Sequence, residues 1–130
     1  MISVDTNILV RILTRDDELQ CRKAMALFES NNIFISDTVI LETEWVLRYA
    51  YDFSRTDINR ALLHLCGLPQ VNLAHPQHIA KALTWHQDGL DFADALHLAG
   101  SNDQDSFATF DQLLIKTSAQ LAATPKVFAP

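Results

Sequence analysis

Short apolar runs alternate with stretches of helical periodicity along the whole chain, and this alternation limits the folds open to it. The runs are Ile2–Val4, Ile33–Ile35, Val71–Leu73 and Phe107–Phe110, with Lys126–Phe128 as a final edge strand. Each is too short for a helix and is bounded by polar or turn-forming residues, so each reads as a strand, the first of them buried. Helices are expected from Ile8 onward, over 17–30, from the Ser36–Thr38 cap to about Tyr51, and over 56–66. Further helices are expected from His75-Pro76 to Gly89, across 91–100 and over 112–122. Strands separated by helices predict the α/β class, with a parallel sheet covered on both faces by right-handed crossovers. With 130 residues and neither repeat nor linker, a single domain over 1–130 is expected.

A parallel sheet opens its ligand crevice at the carboxyl ends of its strands. Two of the runs end there in a carboxylate followed at once by a helical pattern: Val4-Asp5-Thr6-Asn7 and Phe110-Asp111. Either acid can cap the helix that follows it. Two acids at the same sheet edge are harder to explain as independent caps, and both are expected to point into one crevice. On the helix after the second run, a 100° wheel puts Glu44 and Arg48 on a polar side as an exposed ion pair. The same wheel puts Glu42 between Val46 and Tyr49, on the stripe read as core-facing. A carboxylate there needs a partner, a proton or a cation. Further on, Asp91, Asp94 and His97 recur at three-residue steps along one side of a helix, opposite Phe92, Ala95, Leu96 and Ala99. The candidate set is therefore Asp5, Glu42, Asp94 and Asp111, with Asp91 as a fifth. It contains no cysteine, and no pair of histidines is read at ligand spacing. Oxygen donors of this kind suit a hard cation, Mg²⁺ or Mn²⁺. The natural chemistry is phosphodiester hydrolysis, in which a metal activates water and stabilises charge on the attacked phosphate.

Four segments resemble the acidic motifs of the PIN-domain ribonucleases, and the VapC-type toxins of type II toxin–antitoxin pairs in particular. They are Val4-Asp-Thr-Asn-Ile-Leu9, Glu42 followed by Trp45-Val-Leu47, Phe92-Ala-Asp-Ala-Leu-His-Leu-Ala99 and Thr109-Phe-Asp111. The opening motif alone is weak, but the four together at these spacings are specific, and the resemblance covers the whole chain. It implies a three-layer α/β/α sandwich around a central, mainly parallel sheet of four to five strands. It implies a Mg²⁺- or Mn²⁺-dependent endoribonuclease, a homodimer inhibited by a small antitoxin, and a structured RNA substrate such as tRNA or rRNA. Asp5, Glu42, Asp94 and Asp111 carry over as the catalytic, metal-holding acids, with Asn7 and Thr109 in support. In that arrangement Asp5 and Asp94 hold the principal metal. Glu42 ligates it or takes a proton from the attacking water, and Asp111 completes the cluster. Arg11, Arg15 and Lys116 are the cations placed to meet RNA phosphates, and His97 is placed to approach the leaving group.

Composition agrees without deciding the matter. At 48% hydrophobic and 20% charged residues the chain is globular rather than disordered. The net charge of -6 argues against a broad nucleic-acid-binding surface but not against a nuclease whose metal site is itself acidic. No apolar run reaches the roughly 18 residues of a membrane span, and no signal peptide opens the chain, so a cytoplasmic protein is expected. Cys21 and Cys66 are expected as buried, reduced thiols. Trp45, Trp85 and the phenylalanines read as core or dimer surface. A PIN nuclease of RNA maturation shares the same acids, and a neighbouring antitoxin gene would separate it from a toxin. A phosphoacceptor signalling domain also gathers acids around Mg²⁺, but it needs an acidic pair after its first strand, where this chain has Asp5 alone.

Overall fold

Five strands and seven helices alternate through the computed structural model, which describes all 130 residues. The chain runs β1 (Ile2–Ser3), α1 (Thr6–Thr14), α2 (Glu18–Ser30), β2 (Ile33–Ile35), α3 (Asp37–Tyr49), α4 (Arg55–Cys66) and β3 (Val71–Leu73). It continues with α5 (Pro76–Gln87), α6 (Phe92–Gly100), β4 (Ser106–Ala108), α7 (Gln112–Gln120) and β5 (Lys126–Phe128). By internal contacts it divides into two units, Met1–Pro76 and Gln77–Pro130.

Most helices start where a short polar side chain satisfies a first-turn N–H group, which is why the acids and serines read as start signals. Asp17 accepts from Gln20, Ser36 from Val39 and Ser54 from Asp57. Asp91 accepts from Asp94 and Asp111 from Leu114.

In the first unit the strands form one parallel sheet in the order β1-β2-β3. Ile2 pairs with Ile33, and Ile33, Phe34 and Ile35 pair in turn with Val71, Asn72 and Leu73. β2 is the central strand, and Ile33 and Ile35 are wholly buried. The opening strand departs from expectation. It is a two-residue edge strand with Ile2 and Ser3 exposed, and Val4, just after it, is the residue that enters the core. α1 packs on α2 and α3, α3 on α4, and α4 on β3. Leu9, Ile40, Leu47 and Leu62 are fully enclosed.

In the second unit β4 and β5 pair in parallel, Ser106 with Lys126 through Ala108 with Phe128, and α7 packs on β5. The expected central sheet of four to five strands is thus replaced by a three-stranded sheet and a separate two-stranded one. The order of elements was legible, but periodicity carries no information on which strands pair. β4 also ends at Ala108 rather than Phe110, because Phe110 is 82% exposed and adds nothing to a buried run. Phe92, Leu98 and Leu83 are buried, and the His86 ring meets Phe92 edge-on at 5.5 Å.

Both cysteines are free thiols. Cys21 is buried and Cys66 half-buried, and burial pushes the Cys66 thiol up to about 11, away from reactive thiolate chemistry. No helix is long and apolar enough to cross a membrane.

Candidate active site

Each unit carries one group of the acids singled out in the sequence. In the first unit the group is built around Thr6. The chain leaves β1, turns at Asp5 and enters α1, whose N-cap is Asp5. One oxygen of the exposed Asp5 carboxylate accepts the Thr6 N–H at 2.7 Å. The carboxylate therefore sits at the positive end of α1, where negative charge is favoured. Thr6 itself is buried, and its hydroxyl donates to Oε1 of Glu42 on α3. Two acids 37 positions apart in sequence are thus tied to the backbone and side chain of one residue.

This corrects the helical-wheel reading of α3. The buried stripe of that helix is Ile40, Thr43, Glu44 and Leu47. Glu44, expected on the surface, is 2% exposed, and it accepts two bonds from Arg48, Nε at 2.8 Å and Nη2 at 3.1 Å. Glu42, expected in the core, lies on the exposed side with Trp45 and Tyr49. Tyr49 belonged to the stripe read as core and Trp45 was expected in the core or a dimer surface, yet they are 63% and 55% exposed. The two rings meet at a tilt of 46° with centroids 5.0 Å apart, and the Arg48 guanidinium lies 4.6 Å from the Tyr49 ring.

The second group consists of Asp91, Asp94 and Asp111. Asp91 caps α6 and accepts the Asp94 N–H at 3.1 Å. Asp111 caps α7, accepts the Leu114 N–H at 3.1 Å, and donates its own N–H to Thr109 Oγ1 at 3.0 Å. Thr109 is anchored in turn by its N–H to the Phe128 carbonyl at 3.0 Å. The Asp94 carboxyl is held above the ordinary carboxylate range. Burial is the larger cause, followed by the negative charges of Asp91 and Asp111, while His97 pulls the other way. Asp91, Asp94 and Asp111 offer only oxygen donors, the kind a hard divalent cation takes. By donor chemistry each group, taken by itself, suits such an ion: Asp5 with Glu42 in the first unit, and the trio in the second.

The flanking cations divide. Arg11 is committed to protein partners: Gln20 Oε1 at 2.6 Å, Asp16 Oδ1 at 3.1 Å and the Tyr51 hydroxyl at 3.3 Å. The same Tyr51 hydroxyl donates to Asp16 at 2.6 Å and, with Thr14 and Arg11, holds that carboxyl below its usual range. Arg15 is exposed at the C-cap of α1, in the left-handed conformation at φ 56. Lys116 is exposed on α7, and His97 is exposed on α6. Asn7 is exposed and, with Ile8, Arg11, Lys23 and Leu27, borders a cleft of about 350 Å³ beside α1 and α2.

Thr6 is the site residue that sequence reasoning passed over. Nothing local to its hydroxyl announces a partner on α3. Thr6→Val keeps the shape and removes the donor to Glu42. It should cost about 0.5–1.5 kcal/mol in urea unfolding while leaving the α1 cap intact.

The PIN domain family profile matches residues 2–119. No curated protein matches the chain. PIN domains are generally nucleases, and the matched span contains every acid described above. On that match, which runs from β1 into α7, the chain belongs to the PIN-domain family.

Proposed function

We propose that this PIN domain is a Mg²⁺- or Mn²⁺-dependent endoribonuclease, that residues 1–130 act as one catalytic domain, and that it serves as the toxin of a toxin–antitoxin pair. The observation that carries the nuclease reading is the complete acidic set within the family match, with the Asp94 carboxyl raised by burial and then by its acidic neighbours. Asp5, Glu42, Asp94 and Asp111 would hold the metal, with Asp91 beside Asp94. When bound, the ion would supply an activated water and neutralise charge on the phosphate. The chain's own part is orientation. The α1 start fixes Asp5, the Thr6 hydroxyl fixes one oxygen of Glu42, and Thr109 holds the backbone of Asp111. Glu42, exposed rather than sealed in the core, is placed to exchange a proton with solvent water. Arg15 and Lys116 are the cations available to RNA phosphates, since Arg11 is occupied within the protein.

The toxin role, the homodimer, the antitoxin partner, a tRNA or rRNA substrate and a cytoplasmic site of action complete the proposal. Their support is the likeness of the four motifs to VapC-type toxins. The test is expression of the chain alone in a bacterial host, with RNA ends sequenced shortly after induction. Growth arrest with new ends at a few positions in structured RNA is expected, and co-expression of the neighbouring small gene should restore growth. Normal growth at confirmed folded expression, with purified protein still cutting RNA in Mn²⁺, would move the assignment to RNA maturation.

A further inference from the structure

A cleft lies between α1 and α2 within the first unit. α1 lines it with Asn7, Ile8 and Arg11, and α2 with Gln20, Lys23, Ala24 and Leu27. The α2 positions follow i, i+3, i+4 and i+7, so they form one stripe along that helix. Ala24 is buried and Ile8 and Leu27 are half-buried, which gives the cleft an apolar part. The other four residues are polar. Arg11 Nε donates to Gln20 Oε1 at 2.6 Å and ties the two walls together. That bond occupies the Gln20 oxygen and leaves its amide nitrogen without a protein partner. The Asn7 amide and the Lys23 ammonium are exposed and have none either.

The size of the cleft narrows what it can hold. Its volume of about 350 Å³ lies near the lower end of the roughly 300–1,000 Å³ of small-ligand sites. That is room for one nucleotide-sized group. It is short for an amphipathic helix, which anchors through several turns along a longer groove. Position narrows it further. Asn7 stands two residues beyond Asp5, so the cleft begins at the start of α1, beside the first group of acids. RNA brought to those acids meets negative charge, in a chain of net charge -6. Attraction to the chain as a whole does not hold it there. The hold has to come from apolar contact with base and ribose, from amides at the base edge, and from a local cation on one phosphate. The cleft offers each of these. Asp16 offsets the charge of Arg11 at 3.1 Å, so Lys23 is the cation left for a phosphate. Lys23 was not among the cations singled out in the sequence, because its place near the acids follows only from the packing of α2 on α1.

We infer that this cleft takes one unpaired nucleotide of the RNA substrate and selects its base, an inference that rests on the nuclease reading. The base lies against Ile8, Ala24 and Leu27, and Lys23 Nζ meets its phosphate. Asn7 offers the base edge a donor and an acceptor, and Gln20 offers it a donor. An unpaired base presents the edges that a duplex keeps covered, so the cut falls beside single-stranded positions of a folded RNA.

The test titrates the purified full chain with single-stranded RNA hexamers of U, of A and of C, in chelator. NMR follows the side-chain amides of Asn7 and Gln20 and the methyl groups of Ile8, Ala24 and Leu27. Saturable shifts at these groups are expected, with one base favoured over another at least about threefold, the scale of a single hydrogen bond. Lys23→Ala should lower the slope of log affinity against log salt by about 0.7, the value for one phosphate contact on a single strand. In Mn²⁺, sequenced RNA ends should show Lys23→Ala cutting the same sites more slowly, and Gln20→Ala cutting with an altered base preference beside the cut. Cleft resonances that stay unmoved throughout the wild-type titration overturn the inference, and that titration decides even if a variant misfolds. So does a salt slope and a set of cut sites unchanged in both variants. Variants that bind and cut RNA normally but escape inhibition by the product of the neighbouring small gene assign the cleft to a protein, and overturn it as well. Failure of the nuclease reading looks different: the wild type leaves RNA intact in Mn²⁺ while the cleft resonances still respond to the hexamers, and the nucleotide site stands without the reaction.

Discussion

Asp94→Asn is expected to reduce RNA cleavage at least about a hundredfold, the scale of losing one group that stabilises charge in the transition state, while the protein stays folded. Asn keeps the shape of the side chain and loses the charge that a hard cation requires. The same substitution has a second, opposite signature in stability. The carboxyl of Asp94 is raised from its ordinary 3.8, first by burial and then by Asp91 and Asp111. Below the ordinary value both folded and unfolded chains carry the proton, and the group costs nothing. As pH rises through that value the unfolded chain ionises first, so the folded state loses ground until the raised folded value is passed. At neutral pH the wild type carries this penalty in full and the Asn variant does not. Asp94→Asn should therefore melt no lower than the wild type at pH 7 in chelator, and any advantage should vanish below pH 3.8.

Metal reverses the order. An ion that binds only the folded acids stabilises them by mass action, about 2.7 kcal/mol at a hundredfold excess over its dissociation constant. Excess Mn²⁺ should raise the wild-type melting temperature more than that of the variant. Loss of activity joined to gain of metal-free stability is the trade-off expected where like charges are gathered for function. Equal metal-induced shifts in both proteins, with cleavage retained, would take Asp94 out of the metal-holding set.

How far the sequence could reveal this arrangement depended on the range of the interaction involved. β2, β3 and β5 were legible to the residue, because each is a short apolar run closed by a polar or turn-forming neighbour. The caps at Asp17, Ser36 and Asp111 were legible for the same reason: the side chain acts within three residues of itself. Pairing was not. Nothing in Phe107 or Val127 states that their strands join each other in a separate sheet. The link from Thr6 to Glu42 and the 2.7 Å contact between Asp37 and His75 both cross from one element to another. They follow only once helix packing or strand register is known. Asp91, Asp94 and Asp111 stand between these cases: the first two share one helix start, and the third is brought near by tertiary folding.

Glu42 and Glu44, two residues apart on α3, should respond to the same substitution in opposite ways. The hydrophobic pattern misassigned them because Tyr49, read as core, is large and exposed, so the side that carries it faces outward. Glu44→Gln removes the charge from a side chain that is 2% exposed and holds Arg48 through two bonds. Hydrogen bonds to charged groups contribute about 1.5–3 kcal/mol. The Arg48 side chain is 37% exposed, so water can take over part of its solvation and the loss stays within that range. A midpoint shift in urea of that size is expected, with cleavage per folded molecule unchanged. Glu42→Gln should do the reverse. Its carboxylate is exposed, and Gln Oε1 can still accept from Thr6, so stability should change by less than about 0.5 kcal/mol, as at ordinary surface positions. Cleavage should fall at least about a hundredfold, because the remaining oxygen can neither accept a proton from water nor complete the charge of the acidic set. Urea unfolding and single-turnover cleavage, normalised to the folded fraction, measure both effects on both variants. If Glu44→Gln lost cleavage at full stability while Glu42→Gln lost stability at full cleavage, the assignment of the two faces of α3 would be inverted, and Glu42 would leave the proposed site.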